Sequence, residues 1–211
     1  MRFKNLVALG DSWVYGDELG DDDHRQKHIW ARLVADRFGL TLQNLGFNGE
    51  SLQSSIWSAL WWLENQYRED SLIILGLTQS WRTSWFRASH AEDPHPWSSH
   101  INIVSVFDEP QYHQLKKIHI DSCDCNQLHI FNRQQAILFF EGFAKKANSP
   151  VLQFDLYPEQ ETFYSSNHAY PGENATEWIG SHIKPFGHPD ETGHIIIAEK
   201  LISWIESVKL A

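Results

Sequence analysis

Short apolar runs and helical stripes alternate along this chain. Phe3 to Leu9 is an apolar run ended by Gly10, the pattern of a buried strand. After a polar, acidic stretch at 17–23, the segment HRQKHIWARLVADRFG sets Trp30, Val34 and Phe38 at i, i+4 and i+8, which makes one helical face. Gly39 is placed to end that helix. Leu40 to Leu45 reads as a second strand, and Leu52, Ile56, Leu60 and Leu63 as the next helical stripe. Leu72 to Leu75 is a third strand stopping at Gly76. Ala136, Phe140, Phe143 and Ala147 form another helix, ended by Asn148-Ser149-Pro150. Val151 to Leu156 gives a fourth strand, and Ile197, Leu201, Ile205 and Val208 mark a last helix.

Strands alternating with helices predict an α/β fold: a doubly wound, flavodoxin-like parallel sheet of about five strands with helices on both faces. The length of 211 residues suits a single domain over 1–211. Two stretches break the alternation. Arg87 to His129 is rich in His, Pro and charge without a period, and reads as an irregular insertion; Tyr157 to Gly187 is similarly irregular. In such sheets ligands bind beyond the carboxyl ends of the strands, so the residues after each strand are where chemistry is expected.

Those segments are Gly10-Asp11-Ser12-Trp13, Asn44-Leu45-Gly46-Phe47-Asn48-Gly49 and Gly76-Leu77-Thr78-Gln79, with Gly187-His188-Pro189 just before the last helix. A serine at a strand-to-loop turn needs a base to become a nucleophile, and His188 is the best candidate. Taken together, these blocks resemble the SGNH or GDSL-like hydrolase superfamily. Gly10-Asp11-Ser12 matches its first block. Asn44, Gly46, Asn48 and Gly49 match its second, and His188-Pro189, Gly193-His194 and Ala198 its last.

The resemblance implies the SGNH-hydrolase fold and an ester hydrolase working through an acyl-enzyme. Ser12 would be nucleophile and backbone oxyanion donor, Gly49 a second backbone donor, and His188 the general base. Two positions depart from the family pattern. Thr78 stands where an oxyanion Asn is usual, with Gln79 able to substitute if the turn shifts by one residue. Pro185 stands where the triad acid is usual. A backbone carbonyl could then serve a Ser–His dyad, or the acid could come from elsewhere, Asp155 being one candidate. Arg82 and Trp81 are candidate substrate-binding residues, Arg82 as a clamp for an anionic group or else as a salt bridge. The alternative is a weakly active or inactive SGNH-fold binding module for a carbohydrate or small ester, which the two departures favour. A nucleotide-binding flavodoxin-like role ranks last, because no phosphate-cradling Gly-rich loop is present.

Composition narrows the partners. A formal net charge of -10 opposes nucleic acid and anionic membrane surfaces. No apolar run approaches a membrane span, and the N-terminal run is too short for a signal peptide. Cys123 and Cys125 are too close to bridge without strain and read as free thiols, so a cytoplasmic location is expected. No cofactor is expected, and no metal either, since no H-E-x-x-H or H-x-H cluster occurs. The expected partner is a small-molecule or carbohydrate ester.

Overall fold

The computed structural model describes residues 2–80, 82, 84–86, 100–102, 126–158 and 169–208. Strands β1 (Asn5–Leu9), β2 (Thr41–Asn44), β3 (Ser71–Leu77) and β6 (Val151–Asp155) form one sheet in the order β2-β1-β3-β6. All three pairings are parallel, with Leu6 opposite Leu42 on one side and Leu72 on the other. Among the described residues the parallel sheet therefore has four strands, fewer than the five or so expected. A separate antiparallel pair, β4 (Ser84–Phe86) and β5 (His100–Asn102), lies beyond β3 in the chain.

The central strands are apolar on both faces because both faces are covered. Leu6, Ala8, Leu72, Ile74, Leu152 and Phe154 point into one core with helices α3 (Trp30–Phe38), α6 (Ala175–Ile179) and α7 (Glu191–Ser207). Val7, Leu9, Ile73, Leu75 and Leu77 point into the other, with α4 (Leu52–Asn65) and α5 (Asn126–Ala147). Each such fully buried Leu or Ile stabilises the fold by roughly 1.5–3 kcal/mol. That makes the sheet a rigid platform for whatever its carboxyl edge carries.

The segment expected as one helix before Gly39 is two. Helix α2 (Asp22–His28) stops and α3 begins after Ile29, which is extended at φ -67°, ψ 145°. The break buries the Ile29 side chain. The Trp30 N–H it frees is accepted by Nδ1 of buried His194 on α7, at 3.3 Å. Gly39 ends α3 in the left-handed conformation, as the pattern predicts. β3 runs on through Gly76 to Leu77, because a glycine inside a strand does not stop pairing: Gly76 and Leu77 stay in register with Phe154 and Asp155.

Candidate active site

The chain order reverses between β1 and β3, so the crevice beyond their carboxyl ends is the topological switch point of the sheet. Gly10 makes the turn out of β1 at φ 142°. A Cβ there would lie 2.7 Å from the Gly76 carbonyl oxygen and 2.6 Å from Val14 Cγ2, so only glycine fits. Helix α1 (Ser12–Tyr15) starts at once, capped by Asp11, whose Oδ1 accepts the Trp13 N–H at 2.9 Å. Ser12 is thereby fixed at the switch point, 3% exposed.

Asp11 is fully buried and is the hub of the floor. Its Oδ2 accepts from Thr78 Oγ1 at 2.7 Å, Arg82 Nη1 at 2.7 Å and the Tyr157 hydroxyl at 3.0 Å. These donors satisfy a carboxylate that would otherwise be costly to bury. Burial, and then the Asp11 charge, push the Tyr157 hydroxyl well above its ordinary range, which keeps it a donor. The Tyr157 ring packs against Trp13 with centroids 4.9 Å apart, and Arg82 lies over its other neighbourhood at 5.4 Å.

This floor reassigns two expected roles. A hydroxyl has one proton, and that of Thr78 goes to Asp11, so Thr78 Oγ1 has none to give an oxyanion. Gln79 is turned to Arg82, its Oε1 accepting from Nε at 3.0 Å. Arg82 itself spends its charge on Asp11 and also reaches the Glu50 carbonyl at 3.5 Å, which is the ion-pair alternative rather than a substrate clamp. Trp81 lies outside the described residues, as do 87–99 and 103–125 of the insertion, with Cys123 and Cys125. Among the described residues, the N–H groups of Ser12 and Gly49 have no acceptor. The loop bearing Gly49 is drawn to α1 by Asn44 Nδ2, which donates to the Val14 carbonyl at 2.9 Å, and by the Phe47 N–H, which donates to the Gly10 carbonyl at 3.0 Å.

His188 follows Gly187, which sits at φ 90° and whose carbonyl accepts the Trp13 Nε1–H at 3.0 Å. One hydrogen bond thus joins the neighbour of Ser12 to the neighbour of His188. His188 Nδ1 lies 2.7 Å from Glu18 Oε2, and Nε2 lies 3.7 Å from Asp17 Oδ2. Asp17 in turn accepts from Asn48 Nδ2 at 2.7 Å. No hydrogen bond joins Ser12 to His188 directly among the described residues.

Glu18 is the residue that sequence reasoning missed. It is one of two described non-glycine residues with positive φ, at 65°. Such a conformation costs about 1–2 kcal/mol and persists where the surroundings impose it. Its carbonyl is held by Lys184 Nζ, from the same loop as His188. Asp155, the acid considered from sequence, pairs instead with Arg133 on α5 and makes no contact with His188 among the described residues. The acidic run at 17–23 was the available signal, but nothing in it singles out Glu18.

Glu50, next to Gly49, is fully buried with one oxygen accepting from Ser58 Oγ at 2.9 Å and the other unpartnered. Burial chiefly, with the nearby Asp11 charge, pushes its carboxyl well above the usual carboxylate range. Glu50 thus lies buried under the second-block loop with its carboxyl disfavoured as an anion.

No protein-family model matches the chain, and no curated protein matches it by sequence. Solved structures do match. TesA superposes with a TM-score of 0.54 at 13% identity, over 96% of this chain and 98% of that one. The psychrotrophic esterase EstA from Pseudoalteromonas sp., inhibited by monoethylphosphonate, gives 0.53 at 13% identity, over 96% and 97%. A carbohydrate esterase whose active site displays divergent catalytic and non-catalytic binding functions gives 0.52 at 12% identity, over 100% of this chain and 67% of that one. The fold is the SGNH-hydrolase fold. Identities this low establish the architecture alone. Among the described residues, no helix is long and apolar enough to cross a membrane.

Proposed function

We propose that this chain is a serine ester hydrolase of the SGNH type in which Ser12, His188 and Glu18 form the catalytic set. The observation that carries the reading is the 2.7 Å contact between His188 Nδ1 and Glu18, made from a strained backbone position. A nucleophile, a base and a group that orients the base is the arrangement acyl transfer requires. Ser12 Oγ attacks the ester carbonyl carbon, and its proton passes to His188 Nε2. Glu18 holds the Nδ1–H and offsets the imidazolium charge. The tetrahedral oxyanion is received by the N–H groups of Ser12 and Gly49. Collapse breaks the bond to the alkoxide, which takes the proton from His188, and water then releases the acid from Ser12 by the same steps. Proton transfer requires the His188 ring to swing from Asp17 towards Ser12 when an ester binds; catalytic hydrogen bonds are commonly loose before substrate arrives. The substrate is a small-molecule or carbohydrate ester.

A second reading has its own support. Thr78 and Arg82 are committed to Asp11, and Ser12 is not bonded to His188, as suits an SGNH-fold module that binds a carbohydrate or small ester without cleaving it. An aryl organophosphonate separates the two. The hydrolase reading expects a stoichiometric adduct on the Ser12 peptide by mass spectrometry and aryl acetate turnover, both lost in Ser12→Ala. No adduct and no turnover from a folded protein would leave the binding module.

A further inference from the structure

Away from Ser12, three side chains from two helices converge in a way the proposed hydrolysis does not use. His24 and His28 stand one turn apart on α2, and their rings stack at 4.1 Å with 17° between planes. Both face Glu191, the first residue of α7. His24 Nε2 lies 3.3 Å from Oε2, and His28 Nδ1 lies 2.8 Å from Oε1. One ligand atom from each of the three residues lies within 4.8 Å of the others.

We infer that His24, His28 and Glu191 form a binding site for a zinc-class divalent transition-metal ion. The donor set is two imidazole nitrogens and a carboxylate oxygen, which suits zinc, nickel or copper rather than magnesium or calcium. Bonds of about 2.0–2.2 Å to one tetrahedral ion place ligand atoms about 3.4 Å apart, close to the 3.3 Å between His24 and Glu191 and inside the 4.8 Å that encloses all three, with the 2.8 Å His28 contact opening slightly. His24 and Glu191 are roughly half exposed, so their side chains are free to rotate through it. Ion pairing alone explains the arrangement less well. Two imidazolium rings stacked at 4.1 Å would repel, whereas two neutral imidazoles can share one cation. The backbone beneath is already fixed: His194, one turn on from Glu191, accepts the Trp30 N–H where α2 gives way to α3. The acidic residues Asp21, Asp22 and Asp23 at the start of α2 add a field favourable to a cation, against Arg25 and Lys27 further along.

The position suggests what the ion does. His188 lies three residues before Glu191, and Glu18 lies on the segment leading into α2. An ion at this site staples the two chain segments that carry the His188–Glu18 pair, without touching either residue.

The test uses the full chain, stripped with a chelator and exchanged into metal-free buffer, with zinc chloride as the probe. Titration calorimetry is expected to give saturable binding of one ion per chain, accompanied by a rise in Tm. His24→Ala and His28→Ala, both at partly exposed positions, are expected to weaken binding at least by the roughly 10–100-fold that loss of a supporting hydrogen bond costs. His182→Ala, at a separate histidine–carboxylate contact with Asp190, is expected to bind as the wild type does. Absence of saturable binding overturns the assignment, as does binding unchanged by His24→Ala and His28→Ala, or binding lost in His188→Ala instead. The cluster is then a hydrogen-bonded histidine pair only. None of these readouts depends on ester hydrolysis, so the site stands or falls apart from that proposal.

Discussion

Glu18 gives the sharpest test of the proposed chemistry, because its backbone and its carboxylate make separable predictions. Replacing it with Gln keeps an acceptor near His188 Nδ1 but removes the charge. The pair is 2.7 Å long, with side chains 16% and 21% exposed, so it is neither solvated nor dry. At an effective dielectric near 20, opposite charges about 4 Å apart interact by about 4 kcal/mol. Allowing for the residual solvent, about 3 kcal/mol of the stabilisation of the forming imidazolium rests on Glu18. At 1.36 kcal/mol per decade that is a fall in kcat/KM of roughly 10²-fold. Glu18→Ala also frees the ring orientation, and the loss should grow towards 10⁴-fold. Glu18→Gly provides the control. It relieves a left-handed backbone worth about 1–2 kcal/mol, against about 0.5–1 kcal/mol of added chain entropy. It should therefore be at least as stable as Glu18→Ala while equally inactive. The assay is kcat/KM on an aryl acetate beside urea unfolding of all three variants. If Glu18→Gln and Glu18→Ala keep more than a third of wild-type kcat/KM while Ser12→Ala is dead, Glu18 does not orient the base.

Three further outcomes are expected. Asp155→Asn should leave kcat/KM close to wild type and lower stability through Arg133, whose buried charge loses its partner; a fall in activity like that of Glu18→Ala, in a folded protein, would return Asp155 to the catalytic set. Thr78→Val removes one donor to buried Asp11 and should cost about 1–3 kcal/mol in urea unfolding, with little change in kcat/KM, whereas loss of a true oxyanion donor would cost about 10²–10³-fold. His194, pushed down to about 3 chiefly by burial, ties stability to pH. Its folded pKa is depressed, so its stability contribution is full above an unfolded value near 6.5 and is lost as pH falls towards 3. Unfolding at pH 5 should be easier than at pH 7 by up to about 2 kcal/mol, and His194→Gln should flatten that difference; an unchanged slope would show that other groups set it.

What the sequence determined by itself is local. Apolar runs, the i, i+4, i+8 stripe and Gly39 specify strands and helices through backbone periodicity and φ, which neighbouring residues fix. The parallel sheet follows from the order of those elements. The placing of Gly10 and Ser12 was legible for the same reason, since a strand end followed by a turn leads to the carboxyl edge wherever the rest of the chain goes. The break at Ile29 was not legible, because it depends on His194 arriving from α7 to take the Trp30 N–H. Nor were the partners of polar groups. Thr78 turned to Asp11, Asp155 to Arg133, His188 to Glu18, and His24 and His28 to Glu191. Hydrogen bonds and ion pairs are short-ranged and carry no period, so loops distant in sequence choose among equally suitable carboxylates only when packing sets which one is within 3 Å. The tertiary structure made that choice by pinning the loop before His188 to α1 through Trp13 and Gly187, which put Glu18 in reach of His188 and left Asp155 to Arg133.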